Sequence, residues 1–369
     1  MLTSLLEQGQ TYPVFRVRKV NLIVKSALWA SLSLSSGSLA IAQTYTVTDL
    51  GVLGGDSASA SIGINSFGEI VGCSDTSTTY YPCSGVNPGH AFLWKSKTGM
   101  KDLGVLHGDD TSGGVGINDS GAVVGYSKNA QSVYHAFLWT KKTGMIALRK
   151  LPGGTTNFAA AINAAGLIVG GSDFRNSNGN QDAVLWTPDG KIHDLGTLRG
   201  AQLSQAGGIN SHNKVCGDAS FSSGGVAAFT WTKGGGIKRL SGFIRGGVTV
   251  AFAINDSGVI VGNADTSASR HPALWNSVGR IRDLGTLPGG FGTAFGVNDL
   301  NQVVGYSTTA SNDPHAFIWS AKTGIQDLND LIPSNSGWVL VWGSAITKAG
   351  QITGWGTING ENHAYLLTP

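Results

Sequence analysis

One pattern recurs seven times along this chain, at a spacing of 43 to 53 residues. It consists of an apolar-Asn-x-x-Gly turn, a run like Val-Val-Gly, the run His-Ala-Phe-Leu-Trp and then Asp-Leu-Gly. A period of this length, with several short β-type runs in every copy, predicts a ring of blades, which is a β-propeller. A β-solenoid is the structural alternative, but its coils are shorter, about 20 to 30 residues.

The turn that opens each copy carries a backbone signal. Its first residue is Asn in six copies and Thr in the last: Asn65, Asn118, Asn163, Asn210, Asn255, Asn298 and Thr347. The residue three positions later is always Gly or Asn: Gly68, Gly121, Gly166, Asn213, Gly258, Asn301 and Gly350. Gly and Asn enter the left-handed region at low cost, so this column predicts the last residue of a tight hairpin turn. The opening Asn can hydrogen-bond its own backbone two residues on, which explains it without a ligand.

Two strands follow the turn in each copy. The first, as in Val123-Val124-Gly125, is apolar on both faces, which is typical of a strand covered on both sides. The second is the signature strand, as in His135 to Trp139. Because side chains alternate, His, Phe and Trp share a bulky face while Ala and Leu share a thin one, so facing blades can interlock. A second Gly-bearing turn then leads into a short strand, and with the strand that precedes the opening hairpin turn this makes four strands per copy.

The two ends of the repeat region predict a closed ring. The last copy stops after its signature strand and lacks a fourth strand, whereas residues 45–50 precede the first copy and resemble that strand. We therefore expect residues 45–50 to pair with residues 363–367, which removes sheet edges that would invite aggregation. The predicted fold is all-β: a single seven-bladed β-propeller of four-stranded antiparallel blades over residues 43–369.

Residues 1–42 do not belong to the ring. Basic residues at positions 16, 18, 19 and 25 precede a small, apolar stretch, and Ala40-Ile41-Ala42 fits the cleavage site of a secretory signal peptide. The apolar stretch is short and Ser-rich for a membrane span. We therefore expect an exported protein, extracellular or periplasmic, with no membrane span in the mature chain.

The charge of the mature chain excludes one class of partner. The signal segment holds four of the 25 basic residues and one of the 22 acidic residues, which leaves 21 of each in the ring. A near-neutral ring has no basic face for nucleic acid. Only 13% of residues are charged and 55 are glycine, which fits a tightly turned extracellular β-protein better than a cytosolic enzyme.

The three cysteines differ in position. Cys216 stands where other copies carry Val124 and Val304, so we expect a buried cysteine that acts as a small hydrophobic residue. Cys73 and Cys83 bracket the longest loop between strands and can form a disulfide in an oxidising compartment. No second pair stands at metal-ligand spacing, so no zinc site is expected.

The recurrent His-Ala-Phe-Leu-Trp, with Gly-Ile-Asn-x-x-Gly and Asp-Leu-Gly around it, resembles the bacterial extracellular HAF-repeat family over essentially the whole mature chain. The resemblance implies an exported bacterial protein, in some relatives surface-linked, whose biochemical role is generally unassigned. Copies three and four depart from the motif at Asp182 and Ala227, which argues against a functional requirement for the histidine.

The His and Trp columns are interpreted as structural. Five histidines share one column: His90, His135, His271, His315 and His363. Equivalent residues on successive blades are rotated about the ring axis and cannot converge on one ion at the roughly 2.0 to 2.1 Å that zinc requires. We expect these histidines to hydrogen-bond and pack between strands, and the Trp column to fill the core between blades. No metal and no cofactor are expected.

If repetition marks structure, function lies where the copies differ. The loops between the second and third strands and between blades share one face of the ring, and they vary most. Aromatic and polar residues predicted there as candidate binding residues are Tyr80, Tyr81, Asp109, Asp110, Tyr134, Phe158, Phe174, Arg175 and Phe291. Aromatic rings with a few polar groups suit a carbohydrate, a peptide or another surface protein.

Two classes of function fit these observations. The first is an exported, non-catalytic binding or surface-interaction module, expected to be a monomer, because the chain carries no nucleophile elbow, metal motif or phosphate loop. The second is a propeller-type glycoside hydrolase or lyase, which needs two carboxylates, for glycoside hydrolysis about 5 to 9.5 Å apart. Asp109, Asp110, Asp173 and Asp313 are the loop carboxylates available for it.

Overall fold

The computed structural model describes residues 44–76, 89–175, 177 and 179–369, and Thr44–Pro369 form one compact unit. The described residues contain seven four-stranded antiparallel sheets and one 3-10 helix at Leu328–Leu331. The predicted seven-bladed β-propeller is confirmed. The predicted signal peptide, residues 1–42, lies outside the described residues.

The strands are numbered β1 to β28 in chain order. Blades 1 to 3 contain β2 Ala58–Ile64, β3 Ile70–Asp75, β4 Gly89–Lys95, β5 Gly99–Asp102; β6 Thr111–Ile117, β7 Val123–Lys128, β8 Tyr134–Thr140, β9 Gly144–Ala147; and β10 Asn157–Ile162, β11 Ile168–Asp173, β12 Gln181–Trp186, β13 Ile192–Gly196. Blades 4 and 5 contain β14 Leu203–Ile209, β15 Val215–Ser220, β16 Val226–Thr232, β17 Gly236–Arg239; and β18 Thr249–Ile254, β19 Ile260–Asp265, β20 Arg270–Trp275, β21 Ile281–Asp283.

Blades 6 and 7 complete the ring. They contain β22 Gly292–Val297, β23 Val303–Thr308, β24 Pro314–Ser320, β25 Gly324–Asp327; and β26 Trp338–Ile346, β27 Ile352–Ile358, β28 Glu361–Thr368, β1 Thr46–Asp49. The first strands of all neighbouring blades contact one another, β26 and β2 included, so these strands surround the central axis. Because each blade is antiparallel, the turns after first and third strands share one face, the turn face. The remaining connections form the opposite face, the loop face.

Ring closure occurs as predicted, within blade 7. Strand β1 pairs antiparallel with β28, with Val47 opposite Leu367 and Asp49 opposite Tyr365. The Leu50 amide extends the pairing by donating to the carbonyl of Ala364 at 3.0 Å. The two ends of the described chain therefore share one sheet, which leaves blade 7 as complete as the others.

The bulky and thin faces of the signature strands interlock around the whole ring. Phe92 and Trp94 of blade 1 lie in one buried cluster with Ala364 and Leu366 of blade 7. The same pairing of a bulky face with the preceding blade's thin face recurs at the other six blade boundaries. Trp231 is half-buried, and the other five tryptophans of the column are buried. The predicted core between blades is confirmed.

The predicted left-handed turn column is also confirmed. All seven residues of this column have positive φ, from 58° at Asn301 to 84° at Gly350. The asparagine that opens the turn does more than sequence reasoning predicted. In blade 1 its Oδ1 accepts the amides of Phe67 and Glu69, two and four residues on. Its Nδ2 donates to the next blade, where the acceptor at 3.2 Å is the carbonyl of Asn118.

These contacts form an asparagine ladder that links blade to blade. Each Nδ2 donates to the backbone carbonyl of the equivalent residue in the following blade: Asn65 to Asn118, Asn118 to Asn163, Asn163 to Asn210, Asn210 to Asn255, Asn255 to Asn298, and Asn298 to Thr347, at 2.9 to 3.2 Å. Thr347 has no amide group, so the ladder lacks this bond between blades 7 and 1.

Thr347→Asn is expected to stabilise the protein by supplying that bond to the carbonyl of Asn65. One intramolecular hydrogen bond contributes about 0.5 to 1.5 kcal/mol to the free energy of unfolding. Urea unfolding measures the change, with Asn118→Ala as the destabilised control that loses a bond of the ladder. If Thr347→Asn has no effect while Asn118→Ala is destabilised, blades 7 and 1 lie too far apart for the bond.

Candidate functional site

The predicted loop residues are only partly loop residues. Asp110 and Arg175 are exposed, and Phe174 packs against the core between blades 2 and 3. Tyr134 lies instead in the signature strand β8, and Phe158 lies in the first strand β10. Sequence reasoning began the signature strand of blade 2 at His135 and placed Phe158 in a loop, whereas β8 begins at Tyr134 and β10 at Asn157. Phe291 directly precedes β22, while Tyr80 and Tyr81 lie outside the described residues.

Two of the four candidate carboxylates have structural roles in the ring. Asp109 is buried, and both of its oxygens lie 3.0 Å from Nδ1 of His135. Asp173 is buried and accepts the backbone amides of Thr155 and Thr156 at 2.7 and 2.8 Å, which anchors the loop before β10. Asp110 and Asp313 are exposed.

The histidine column pairs with aspartates, as expected for a structural role. In blade 1, Nδ1 of His90 lies 2.9 Å from Oδ2 of Asp102 on the neighbouring strand. In blade 7 the same pair joins His363 to Asp49, across the ring closure. Blade 2 has Ala147 at the aspartate position, and Asp109 replaces that partner from the preceding loop.

Blade 3 replaces the histidine by a second carboxylate. Asp182 stands at the histidine position and Asp194 at the aspartate position. Partial burial, with the nearby charge of Asp194, raises the pKa of Asp182 to about 6. In this copy Asp182 therefore takes up a proton as the pH falls through about 6.

The described cysteines behave as two different types. Cys216 is free and fully buried, as predicted, and burial raises the pKa of its thiol to about 12. Cys73 is buried and disulfide-bonded. Cys83 lies outside the described residues, so the Cys73–Cys83 pairing stays a prediction.

The positions that differ most between blades face each other inside the ring. Seven cross-strand pairs, one per blade, join the first strand to the second at one level: Ala60–Cys73, Gly113–Tyr126, Phe158–Gly171, Gln205–Asp218, Val250–Asn263, Thr293–Tyr306 and Trp342–Trp355. We name these pairs the variable layer. They lie near the start of the first strand, and therefore nearer the loop face than the turn face.

A β-bulge lies just below the layer in every blade. The extra residues in the first strands are Ile62, Val115, Ala160, Gly207, Phe252, Phe295 and Ser344. A bulge re-aims the side chain of the extra residue. Two of the seven are aromatic, and they occupy adjacent blades.

Aromatic rings gather on one side of this region, in blades 5 to 7. The ring centroid of Phe295 lies 5.3 Å from Phe252 and 4.9 Å from Trp342. Tyr306 stacks on Trp342 at 5.1 Å with an interplanar angle of 7°. Phe291 and Trp355 extend the group at 6.2 Å from Tyr306 and 5.9 Å from Trp342. We name these six residues the aromatic sector.

The aromatic sector differs from the core in its exposure. The core rings Phe92, Phe137 and Phe317 are 0% exposed. Within the sector only Trp355 is buried, whereas its other five members are half-buried. The partly exposed rings beside the axis can therefore contact a ligand.

A polar sector adjoins the aromatic one, in blades 4 to 6. Nε2 of Gln205 donates to Asp218, with its two oxygens at 3.3 and 3.2 Å. Nδ2 of Asn263 donates to Oγ1 of Thr293 in the next blade at 3.1 Å. Oε1 of Gln205 and Oδ1 of Asn263 are buried and accept no hydrogen bond from the described residues. Among the described residues, these two acceptors therefore have no donor.

Asp218 makes the stability of the ring depend on pH. Burial raises the pKa of its carboxyl to about 7, and the hydrogen bond from Gln205 opposes this shift. The unfolded value is about 3.9, so between about pH 4 and pH 7 the folded state keeps a proton that the unfolded state has lost. Stability therefore falls as pH rises through this window.

Asp218→Asn is expected to remove most of that fall. The variant should exceed the wild type in free energy of unfolding at pH 8 by on the order of 3 kcal/mol, and should show little gain at pH 4. Blade 5 already carries Asn263 at the equivalent position, so the fold accepts the amide. Denaturant unfolding across this range tests the effect, and a parallel pair of curves for variant and wild type would contradict it. A smaller fall up to about pH 6 should persist, because the pKa of Asp182 is raised as well.

The sequence does contain a signal for the variable layer. The residue after each Val-Val-Gly-like run is Cys73, Tyr126, Gly171, Asp218, Asn263, Tyr306 or Trp355, and no two neighbouring copies agree. That column was missed because variation was sought only in loops. A variable residue inside an otherwise repeated strand is the sequence signal for this layer.

Seven-bladed β-propellers are the class of protein that this fold defines, and solved structures agree. Virginiamycin B lyase from Staphylococcus aureus matches with a TM-score of 0.54 at 14% identity, covering 88% of this chain and 99% of the lyase. An oligogalacturonate lyase in complex with manganese matches with a TM-score of 0.50 at 13% identity, covering 88% of this chain and 98% of that one. At such identities the likeness shows the fold alone.

The other comparisons identify no family. No protein-family model matches the chain, and neither does any curated protein. Within the described ranges, no three His, Cys, Asp or Glu side chains are placed to bind a metal ion together. The same part of the chain has no helix with the length and hydropathy needed to cross a bilayer.

Proposed function

We propose that this protein is an exported, non-catalytic binding module that holds its ligand at the variable layer and at the loop face above it. The carrying observation is the aromatic sector, whose half-buried rings lie beside the axis and contact one another across blades 5 to 7. Pockets that bind ligands combine aromatic surface with a few placed polar groups, as the two adjoining sectors do.

Two further observations support the proposal. Asp109 and Asp173, two of the four loop carboxylates available to a propeller hydrolase or lyase, are buried acceptors in the frame of blades 2 and 3. The secretory pattern of residues 1–42 and the resemblance to the extracellular HAF-repeat family support export. Fractionation of cells that express the full chain tests that part of the proposal, since export requires the protein outside the cytoplasm with residues 1–42 removed.

Binding is tested by a mixed glycan and peptide array with the purified mature chain. Phe252→Ala and Phe295→Val are the informative variants, because Ala160 and Val115 occupy the same bulge position in blades 3 and 2. We expect both variants to bind less strongly than the wild type and to melt at nearly the same temperature. Phe174→Ala with Arg175→Ala, at the loop face above blades 2 and 3, should weaken binding less.

The control lies on the opposite face. Lys141 and Lys142 are exposed in the turn after β8, so reversing their charges should leave binding intact. If that variant abolishes binding while Phe252→Ala and Phe295→Val bind normally, the ligand occupies the turn face and the proposed site is wrong.

A further inference from the structure

We infer that the ligand of the variable layer is a neutral saccharide, with one sugar ring stacked on the aromatic sector and its hydroxyl edge directed at the polar sector. This inference rests on the proposed function, because it names the chemical class of ligand for that same site. It follows from the contacts within the aromatic surface, from the type of polar groups beside it and from the low charge of the two sectors, in which the one ionisable carboxyl, that of Asp218, is buried.

The aromatic surface is continuous, but its rings do not share one plane. Tyr306 and Trp342 are nearly parallel, and Phe295 contacts both, at 5.9 and 4.9 Å between ring centroids. Phe252 extends the surface toward blade 4, with its ring at 70° to that of Phe295. Aromatic rings provide a large, rigid contact area with little loss of side-chain entropy. The apolar C–H face of a pyranose can stack on the exposed part of one such ring.

The polar groups beside this surface are amides and a hydroxyl. Asn263 and Thr293 are buried in the blades next to the aromatic rings, and Gln205 follows in blade 4. Oδ1 of Asn263 and Oε1 of Gln205 accept no hydrogen bond from the described residues, and a buried acceptor without a donor is unfavourable by about 1 to 3 kcal/mol. A saccharide carries many hydroxyl donors, which can satisfy these acceptors directly or through one water.

The low charge of the two sectors favours a neutral saccharide over other ligands with flat faces. The six residues of the aromatic sector are uncharged, and so are Gln205, Asn263 and Thr293. Asp218 is the one ionisable carboxyl in the polar sector as defined here, and it is fully enclosed behind Gln205. Nucleotides need cationic side chains for their phosphates, and acidic sugars need the same for their carboxylates. A peptide would present charged termini and side chains, for which the two sectors offer only the buried carboxyl of Asp218.

Calorimetry with three probes tests the ligand class: cello- and chito-oligosaccharides as neutral saccharides, oligogalacturonate as an acidic one, and a pooled library of unmodified peptides. We expect binding of a neutral saccharide, with a change in tryptophan fluorescence from the ring of Trp342. Phe295→Val and Phe252→Ala should each weaken that binding by about tenfold or more, as expected for central aromatic contacts.

Val115→Ala is the matched control, since it changes the same bulge position in blade 2, outside the aromatic sector. It should bind the saccharide as the wild type does. This inference is wrong if peptides or oligogalacturonate bind, Phe295→Val loses that binding and no neutral saccharide binds. The proposed function would still stand in that case. Saccharide binding that survives both Phe variants, or no binding of any of the three probes, overturns the proposed site itself.

Discussion

Deletion of residues 45–50 is expected to cause the largest loss of stability among simple changes to this ring. The deletion removes β1, leaves β28 without its outer partner and takes away Tyr45 and Leu50, which are 2% and 5% exposed. Burying two such side chains contributes about 3 to 6 kcal/mol, before the lost strand pairing is counted. The truncated mature chain should therefore melt far below the intact one or aggregate through the exposed strand edge.

A point variant distinguishes the effect of losing strand β1 from the effect of losing its ion pair with His363. Asp49→Asn keeps β1 and removes only the charge opposite His363, a pair that is partly exposed and therefore contributes about 1 kcal/mol or less. Thermal melting and light scattering compare the three proteins. A deletion variant as stable and as monodisperse as Asp49→Asn would show that the ring does not need β1.

Gly125→Ala is expected to have the second largest effect. Seven glycines occupy this position in the second strands: Gly72, Gly125, Gly170, Gly217, Gly262, Gly305 and Gly354. A Cβ on Gly125 would lie 2.0 Å from the backbone carbonyl oxygen of Gly113 on the first strand. The backbone next to the bulge must move to admit it, so we expect a loss of about 3 kcal/mol, at the upper end of overpacking.

The matched control for that variant is Gly234→Ala. Gly234 has open space where its Cβ would lie, so the change should stay within about 0.5 kcal/mol of the wild type. Urea unfolding of both variants measures the difference. Equal stabilities would mean that the two strands of blade 2 separate easily at the bulge, against the close approach in the structure.

The ligand site was only partly accessible to sequence reasoning. Asp110, Phe174 and Arg175 were correctly placed on or beside the loop face, but Tyr134 and Phe158 belong to strands. Asp109 was expected in a binding loop and instead pairs with His135, because blade 2 lacks the usual aspartate at Ala147. The exchange links two residues 26 positions apart, so no local pattern reveals it.

The sequence by itself determined the features that depend on backbone conformation at single residues and on the alternation of side chains along a strand. The left-handed column at Gly121 follows from backbone sterics, and the interlocking of Phe92 with Ala364 follows from the two-residue period of a strand. The number of blades and the pairing of residues 45–50 with the last copy follow from counting such units.

Only the tertiary structure decided which variable residues meet. Phe252 and Phe295 are 43 positions apart and Phe295 and Trp342 are 47 apart. They come together because the ring places their first strands side by side, with Phe252 and Phe295 at bulges and Trp342 in a cross-strand pair. The asparagine ladder has the same origin, since its donors and acceptors lie in different blades. Such contacts depend on the angle and distance between neighbouring sheets, and these quantities are set by the packing of all seven blades together.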